Sequence, residues 1–470
     1  MEQSCIMVAI AGNRYVIRNG HRAAACVASA QPASQAQPDA IPIAPEPRYT
    51  ALRVHVVEVA MKRFLLCMLA LAAVAPPCAA AQPHRELLAA VDACKPAAKQ
   101  LIEQLVAIDS GTGDSEGLAR VGALYAARLE ALGAQVRSVA PTPPAAGDNI
   151  VATFSGTGKG RILLIAHMDT VFNRGAAAAS HPHWDGEHYV GPGAGDDKSG
   201  GVTAICALGA LRDVAFRDFA RIQLILNASE ETGSLGSREL IRALARDADV
   251  AINLERGVPT DAAIVSRKGS AVLTLEFTGR AAHAGLEPEK GRNATLEAAH
   301  VALQLAALGD AAQGTTVTVT VLAGGDKTNV VPDHAVLKAD VRAFVPEEFD
   351  RVEQAAARLA AKPSIDGVMI ASQLARSFPP WPRAASTDAL LARANGLYDE
   401  LGRTLHGIAV GGAADVALAA ETGTPAIDGF GMEGGGAHGP DDYADFTSLT
   451  PRAYLLARFL MDLGRTPPVR

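Results

Sequence analysis

The chain has 470 residues, of which 49% are hydrophobic and 20% charged, and it carries a formal net charge of −7. This length exceeds one ordinary core, so two domains are expected, with ample apolar residues for both. The mild acidity argues against a nucleic-acid partner, which needs a basic face, and no apolar run after position 82 is long enough to span a bilayer.

Residues 1–60 are rich in Ala, Pro and Gln and lack clean periodicity. They read as a non-native extension from an upstream start codon, or as a disordered segment. Met61-Lys62-Arg63 then precedes the apolar run Phe64–Ala75, Pro76-Pro77 and the small residues Ala79-Ala80-Ala81. A basic, then apolar, then small-residue succession is a secretory signal over 61–81, which sends the protein to the periplasm or out of the cell. The other reading, a buried helix, is broken by Pro76-Pro77. Of six cysteines only Cys94 and Cys206 follow the signal. Two isolated cysteines make neither a disulfide framework nor a cysteine zinc site. Cys206, within the apolar stretch Val202–Leu211, reads as core filler. Any metal is then held by imidazole and carboxylate.

Past the signal, 84–107 and 117–133 have the pattern of helices, the second stopped by Gly133. Gln135–Val139 reads as a strand. Arg161–Ile165, Ile222–Leu226 and Val250–Leu254 are apolar strands separated by helices at Ser199–Val214 and Arg238–Arg246. Such alternation indicates an α/β domain whose sheet is covered by helices on both faces. Near residue 268 the period changes. Ala271–Thr278, Thr316–Leu322 and Ala335–Arg342 alternate as half-exposed strands, and helices are expected at Ala294–Leu308 and Glu347–Ala361. This β-α-β-β-α order predicts a two-layer, ferredoxin-like α+β unit over 268–376. It is inserted into a catalytic domain built from 82–267 and 377–470, with further helices at Thr387–Leu401 and Pro451–Leu463.

Five segments place acids or imidazoles just past a strand or in a glycine-rich loop. They are Leu163–Val171 with His167 and Asp169, Gly191–Gly200 with Asp196 and Asp197, Asn227–Ser234 with Glu230 and Glu231, Asn253–Gly257 with Glu255, and Gly434–Pro440 with His438. Ligands of open α/β sheets bind beyond the carboxyl ends of the strands, so the first, third and fourth segments converge on one crevice. Two divalent ions, the carboxylates of Asp196, Glu231 and Glu255, and one hydroxide sum to zero charge with neutral His167 and His438. Mixed imidazole and carboxylate ligation suits Zn²⁺, with Co²⁺ or Mn²⁺ as substitutes. Each segment alone is also compatible with an ordinary turn or helix start; the order and spacing together are specific.

That order resembles the zinc aminoacylase/glutamate carboxypeptidase metallopeptidases, over about residues 100–465 and including Ser110-Gly111-Thr112. The resemblance implies that Asp196 bridges two metals. His167 and Glu255 complete one site, and Glu231 and His438 the other. It further implies Glu230 as general base, Asp169 as the group orienting His167 through its second ring nitrogen, and a cis peptide between Asp196 and Asp197. Ala281-Ala282-His283-Ala284-Gly285 resembles the family's His-Ala-Gly loop, whose histidine reaches across a dimer and stabilises the oxyanion. Taken alone, His283 is a surface-loop residue. Asn329 and Arg342 match substrate-binding positions, and an arginine there suits a substrate carboxylate; alternatively Arg342 only pairs with a neighbouring Asp.

Two departures from the family pattern stand out. Glutamate-releasing relatives carry a Lys shortly after the strand-final Glu, whereas Pro259–Ala263 has none. Their Gly-Gly-Gly-Thr-Asp loop, whose substrate-binding positions are matched by Gly412 and Ala414, becomes Gly411-Gly412-Ala413-Ala414-Asp415. Both changes remove polar contacts, so the site should tolerate apolar C-terminal residues better, and the terminal residue is expected to be glutamate or apolar. Glu at 255, rather than Asp, goes with carboxypeptidase and N-deacylase activity. The expectation is thus a secreted, homodimeric, two-zinc carboxypeptidase acting on N-acyl amino acids or short peptides, with no nucleic-acid or membrane partner. The alternatives are an N-acyl-amino-acid deacylase and, more remotely, a binding protein on a dead scaffold. A dinucleotide site at Gly191–Gly200 is electrostatically wrong, because two acids stand where a pyrophosphate would sit.

Overall fold

The computed structural model describes residues 82–469, together with an antiparallel hairpin of Ile6–Ile10 and Asn13–Ile17. The signal at 61–81, and the rest of the extension 1–60, lie outside the described residues.

The first expected helix is in fact two, α1 (Arg85–Ala93) and α2 (Lys95–Val106), which part at Cys94. Pro96 causes the break. It has no N–H to give, and its ring would strike the carbonyl four residues back, so it starts a helix rather than continuing one. Helix α3 (Ser115–Ala131) is capped by Asp114, whose carboxylate accepts from the Gly117 amide at 3.2 Å. There follow β1 (Gln135–Val139), β2 (Asn149–Ser155), β3 (Arg161–His167), α4 (Ser199–Asp213), β4 (Arg221–Asn227), α5 (Arg238–Arg246), β5 (Val250–Asn253) and β6 (Ala262–Arg267). The inserted unit runs β7 (Gly269–Thr278), α6 (Ala294–Ala306), β8 (Thr316–Gly324), β9 (His334–Ala343), α7 (Pro346–Ala360) and β10 (Met369–Arg376). The chain returns through α8 (Ala385–Tyr398), β11 (His406–Val410), β12 (Ala426–Ile427) and α9 (Leu449–Arg465).

The main sheet is mixed and has the order β12-β5-β3-β4-β2-β1. Strand β3 runs parallel to both β4 and β5. Its side chains alternate between two cores. Ile162, Leu164 and Ala166 pack with α1–α4 and α9, while Leu163 and Ile165 pack with α5 on the opposite face. Burial on both faces is why these strands read as unbroken apolar runs. Cys94 and Cys206 form a disulfide, which corrects the reading of Cys206 as core filler. It ties the α1–α2 break to α4, and no local pattern signals a pairing across 112 residues.

In the inserted unit the order is β8-β9-β7-β10, every pairing antiparallel, with α6 and α7 on one face over Leu273, Leu275, Phe277, Leu337 and Val341. This is a β-α-β-β-α-β unit. The sixth element, edge strand β10, was not expected from the sequence. Most of its residues are exposed, so its apolar signal is weak.

Candidate active site

Strands β3, β4 and β5 lie side by side and parallel, so their carboxyl ends open on one crevice. His167 ends β3 and is paired in register with Asn227, which ends β4. Glu230 and Glu231 follow three and four residues later, and Glu255 lies two residues beyond β5. The Gly191–Lys198 loop feeds α4 and carries Asp196, joined to Asp197 by a cis peptide. His438 enters from a glycine-rich loop between two short strands, Gly434–Gly435 and Tyr443–Asp445. Its φ of 64° is left-handed, a conformation that costs energy for a non-glycine residue and is typical of functional sites.

Asp196 stands between two groups. Its Oδ1 is 3.2 Å from His167 Nε2, and that nitrogen is 3.7 Å from Glu255 Oε1. Its Oδ2 is 3.5 Å from His438 Nε2, which is 3.1 Å from Glu231 Oε2. His167, Asp196 and Glu231 each offer a ligand atom within 4.8 Å of the others. The donors are only nitrogen and oxygen, and the carboxylates outnumber the imidazoles, a composition that suits a divalent cation. Without a cation, burial and the neighbouring acids push Glu255 up to about 8, and burial likewise raises Glu230 and Glu231. Burial opposes ionisation of Asp196 too, but the His167 hydrogen bond and the charges of His167, His438 and Arg256 together outweigh it and hold the group at about 2.

Asp169 is fully buried, and its role differs in part from the expectation. His167 Nδ1 lies 3.0 Å from the main-chain carbonyl of Asp169 and 3.5 Å from its carboxylate. The carbonyl therefore takes the Nδ1 proton and leaves Nε2 for a ligand. The carboxylate instead accepts from the amides of Glu230 and Glu231, at 2.9 and 3.2 Å, and from the Thr112 hydroxyl at 2.6 Å. Among the described residues, the buried Glu230 carboxylate accepts no protein hydrogen bond.

A cavity of about 570 Å³ opens over this cluster. Asp196, Glu231, Glu255, His438, Arg342 and Gly412 line it. Arg342 does pair with a neighbour, donating from Nε to both carboxylate oxygens of Asp340 at 3.0 and 3.1 Å, yet it still faces the cavity. Ala414 does not line the cavity. It is fully buried in the apolar cluster under β5, and Ala413 lines the cavity in its place. The turn is set by Asp415, which is buried and accepts from Asn227 Nδ2 at 2.7 Å and from the Ser234 hydroxyl. His283 and Asn329 also lie outside this cavity. They sit together on the inserted unit, where His283 Nδ1 accepts from the Gly285 and Leu286 amides and the Asn329 carbonyl accepts from the Ala284 amide.

Sequence reasoning missed Arg256, Arg267 and Asp415. Arg267 is buried, bonds Asp428 through Nε, donates to the Gly412 carbonyl at 3.2 Å and lies 3.8 Å from Glu255. Its two hydrogen-bond partners are more than a hundred residues away in the chain, so no local motif marks it.

Donor groups converging on one aspartate, with a carboxylate left free beside them, are the equipment of a metal-dependent hydrolase of peptide-like bonds. Comparison with known proteins agrees: residues 163–462 match the model of peptidase family M20/M25/M40, and the chain belongs to that family. Carboxypeptidase G2 of Pseudomonas sp. (strain RS-16) is 34% identical over 404 residues, which is 85% of this chain and 97% of that protein. Indole-3-acetyl-aspartic acid hydrolase of Enterobacter agglomerans is 38% identical over 139 residues, 28% of this chain and 32% of that one. Among solved structures, a tripeptidase from Staphylococcus aureus matches with a TM-score of 0.65 and 23% identity, covering 79% of this chain and 98% of that one, and so shares the fold. Among the described residues, no helix is long and apolar enough to cross a membrane.

Proposed function

We propose that this chain is an exported two-zinc carboxypeptidase that hydrolyses the amide bond between an acyl or peptidyl group and a C-terminal amino acid. The observation that carries this reading is the placement of Asp196 between the His167–Glu255 and His438–Glu231 pairs, with Glu230 free beside them. His167, Glu255 and Asp196 would hold one ion; His438, Glu231 and Asp196 would hold the other. When bound, such a pair lowers the pKa of the attacking water and polarises the scissile carbonyl. Glu230 takes the proton of that water and delivers it to the leaving amine nitrogen. Asp169 holds the Glu230-Glu231 backbone in place for this transfer.

Arg342 is the candidate for the substrate's terminal carboxylate. The terminal side chain would face Val258, Ile264, Phe378, Val410 and Ala413, an apolar wall of the same cavity. That wall, and the lack of a Lys in Pro259–Ala263, favour an apolar terminal residue; the similarity to carboxypeptidase G2 keeps glutamate as the second reading. An N-acyl-amino-acid deacylase would use the same groups. A binding protein is disfavoured by the presence of all five ligand residues and Glu230.

His283 and Asn329 would serve the site of a second copy. In support, β8 is an open sheet edge with exposed Val321 and Leu322, and α6 exposes Leu296 and Leu303 on one face, a surface suited to pairing. The Cys94–Cys206 disulfide supports export to an oxidising compartment.

The test is a hydrolysis screen of the zinc-loaded protein on N-acyl and dipeptide substrates ending in Leu, Phe, Ala or Glu, with free or amidated carboxylates. Release of apolar residues, abolished by amidation, is expected. Preferential release of Glu would remove the specificity assignment, and equal turnover of the amides would remove the carboxypeptidase assignment.

A further inference from the structure

Three arginines line the cavity, and they are not equivalent. Arg267 is neutralised by Asp428 and lies 3.8 Å from Glu255. Arg342 is neutralised by Asp340. Arg256 has no carboxylate within ion-pair distance among the described residues; its one side-chain hydrogen bond runs from Nη1 to the Gly434 carbonyl at 3.2 Å. It is half-buried and faces the same space as Asp196 and His438.

Its backbone is held on both sides. The Gly257 amide donates to the Met432 carbonyl at 2.8 Å, and the Gly431 amide donates to the Glu255 carbonyl at 3.0 Å. Both turns are tight, and the one at Gly431 abuts backbone. A Cβ on Gly257 would lie 2.7 Å from Arg452, and one on Gly431 would lie 2.3 Å from the Leu254 carbonyl oxygen. Arg256 is thus a cation on a rigid base. Once Asp196, Glu231 and Glu255 are engaged by divalent ions, the acid left near it is Asp442, whose carboxylate is already held by the Gly193 and Gly195 amides, and a cation without a direct ion-pair partner in a half-enclosed cavity is unfavourable. A ligand anion removes that penalty.

We propose that Arg256 reads a second carboxylate of the substrate, in addition to the terminal carboxylate assigned to Arg342. The inference rests on the carboxypeptidase reading above. Either the acyl portion or an acidic terminal side chain supplies such a group. The apolar wall of Val258, Ile264, Phe378, Val410 and Ala413 favours the acyl portion.

Three probes separate these sources: N-acetyl-leucine as the monoanion, N-succinyl-leucine with a second carboxylate in the acyl group, and N-acetyl-glutamate with one in the side chain. KM is measured for each with the zinc-loaded wild-type chain and with R256Q. The expected result is that R256Q raises the KM ratio of N-succinyl-leucine to N-acetyl-leucine by about tenfold, the loss of one charge-assisted hydrogen bond. The same rise in the N-acetyl-glutamate ratio would sustain the role of Arg256 and move the carboxylate to the side chain. A change below about threefold in both ratios overturns the proposal, and one above it in either sustains it. KM ratios do not depend on the fraction of folded protein, so a poorly folding variant still reports. If the wild-type chain cleaves neither these probes nor the dipeptides of the screen above, the carboxypeptidase reading fails by itself. Calorimetric binding of the same three compounds to E230Q and to E230Q/R256Q then decides Arg256 by the same ratios.

Discussion

The Asp169 carboxylate receives the Glu230 amide on one oxygen at 2.9 Å and the Glu231 amide on the other at 3.2 Å. One buried acid at the end of β3 therefore sets the backbone of both the candidate base and a candidate ligand at the end of β4, while its own carbonyl meets His167 Nδ1. Replacing Asp169 with Ala should reduce metal affinity and kcat by about 10–100-fold each, as expected for a group that supports ligands without being one. Zinc competition against a chromogenic chelator, together with steady-state kinetics, checks this. Unchanged zinc affinity would confine Asp169 to the Glu230 side.

Glu230→Gln should lower kcat by about 10²–10⁴-fold while metal content stays at the wild-type value, because the group moves a proton and holds no ion. Elemental analysis beside the rate measurement separates the two roles. Loss of metal in this variant would make Glu230 a ligand.

Arg342→Ala should raise KM for substrates with a free terminal carboxylate by about tenfold with a smaller effect on kcat, since the interaction is made equally in the ground and transition states. The Asp340 contact bears on this prediction, because the guanidinium is already oriented before substrate arrives. An unchanged KM removes Arg342 from carboxylate recognition.

The metal-free protein should be more stable near pH 6 than near pH 8.5. Burial raises the carboxyl groups of Glu230, Glu231 and Glu255 in the folded chain, the last to about 8. Their penalty is complete above the folded value and is relieved as pH falls toward the unfolded value of 4.5. Burial works against a charged His167, but the surrounding carboxylates of Asp169, Asp196, Glu230 and Glu255 together raise it well above its ordinary value, and it has the same sign, since its stabilisation is lost as pH rises. Thermal melts of chelated protein across this range are the measurement. Zinc should raise the melting temperature and flatten the trend, because it favours the deprotonated ligands.

Reducing the Cys94–Cys206 disulfide, or replacing both residues with Ala, should lower stability by roughly 4–5 kcal/mol in the chain-entropy picture, given the long loop it closes. Denaturant titration with and without reductant measures this. Zinc affinity should change little, because neither sulfur touches the site.

Much of this protein is legible in its sequence. The apolar runs of β3, β4 and β5, the position of His167 at a strand end, and the acids two to four residues past the strands are local features. Strand periodicity and the parallel register carry them to one crevice with little further information. What the tertiary structure alone decided involves residues distant in the chain. Cys94 meets Cys206; Asp415 turns Ala414 into the core and leaves Ala413 on the cavity; Arg267 and Arg342 find carboxylates while Arg256 does not; and His283 and Asn329 stand outside the single chain's cavity. The physical reason is the same in each case. Whether a side chain is paired, buried or exposed depends on what the fold packs against it, and neither composition nor periodicity encodes that neighbour.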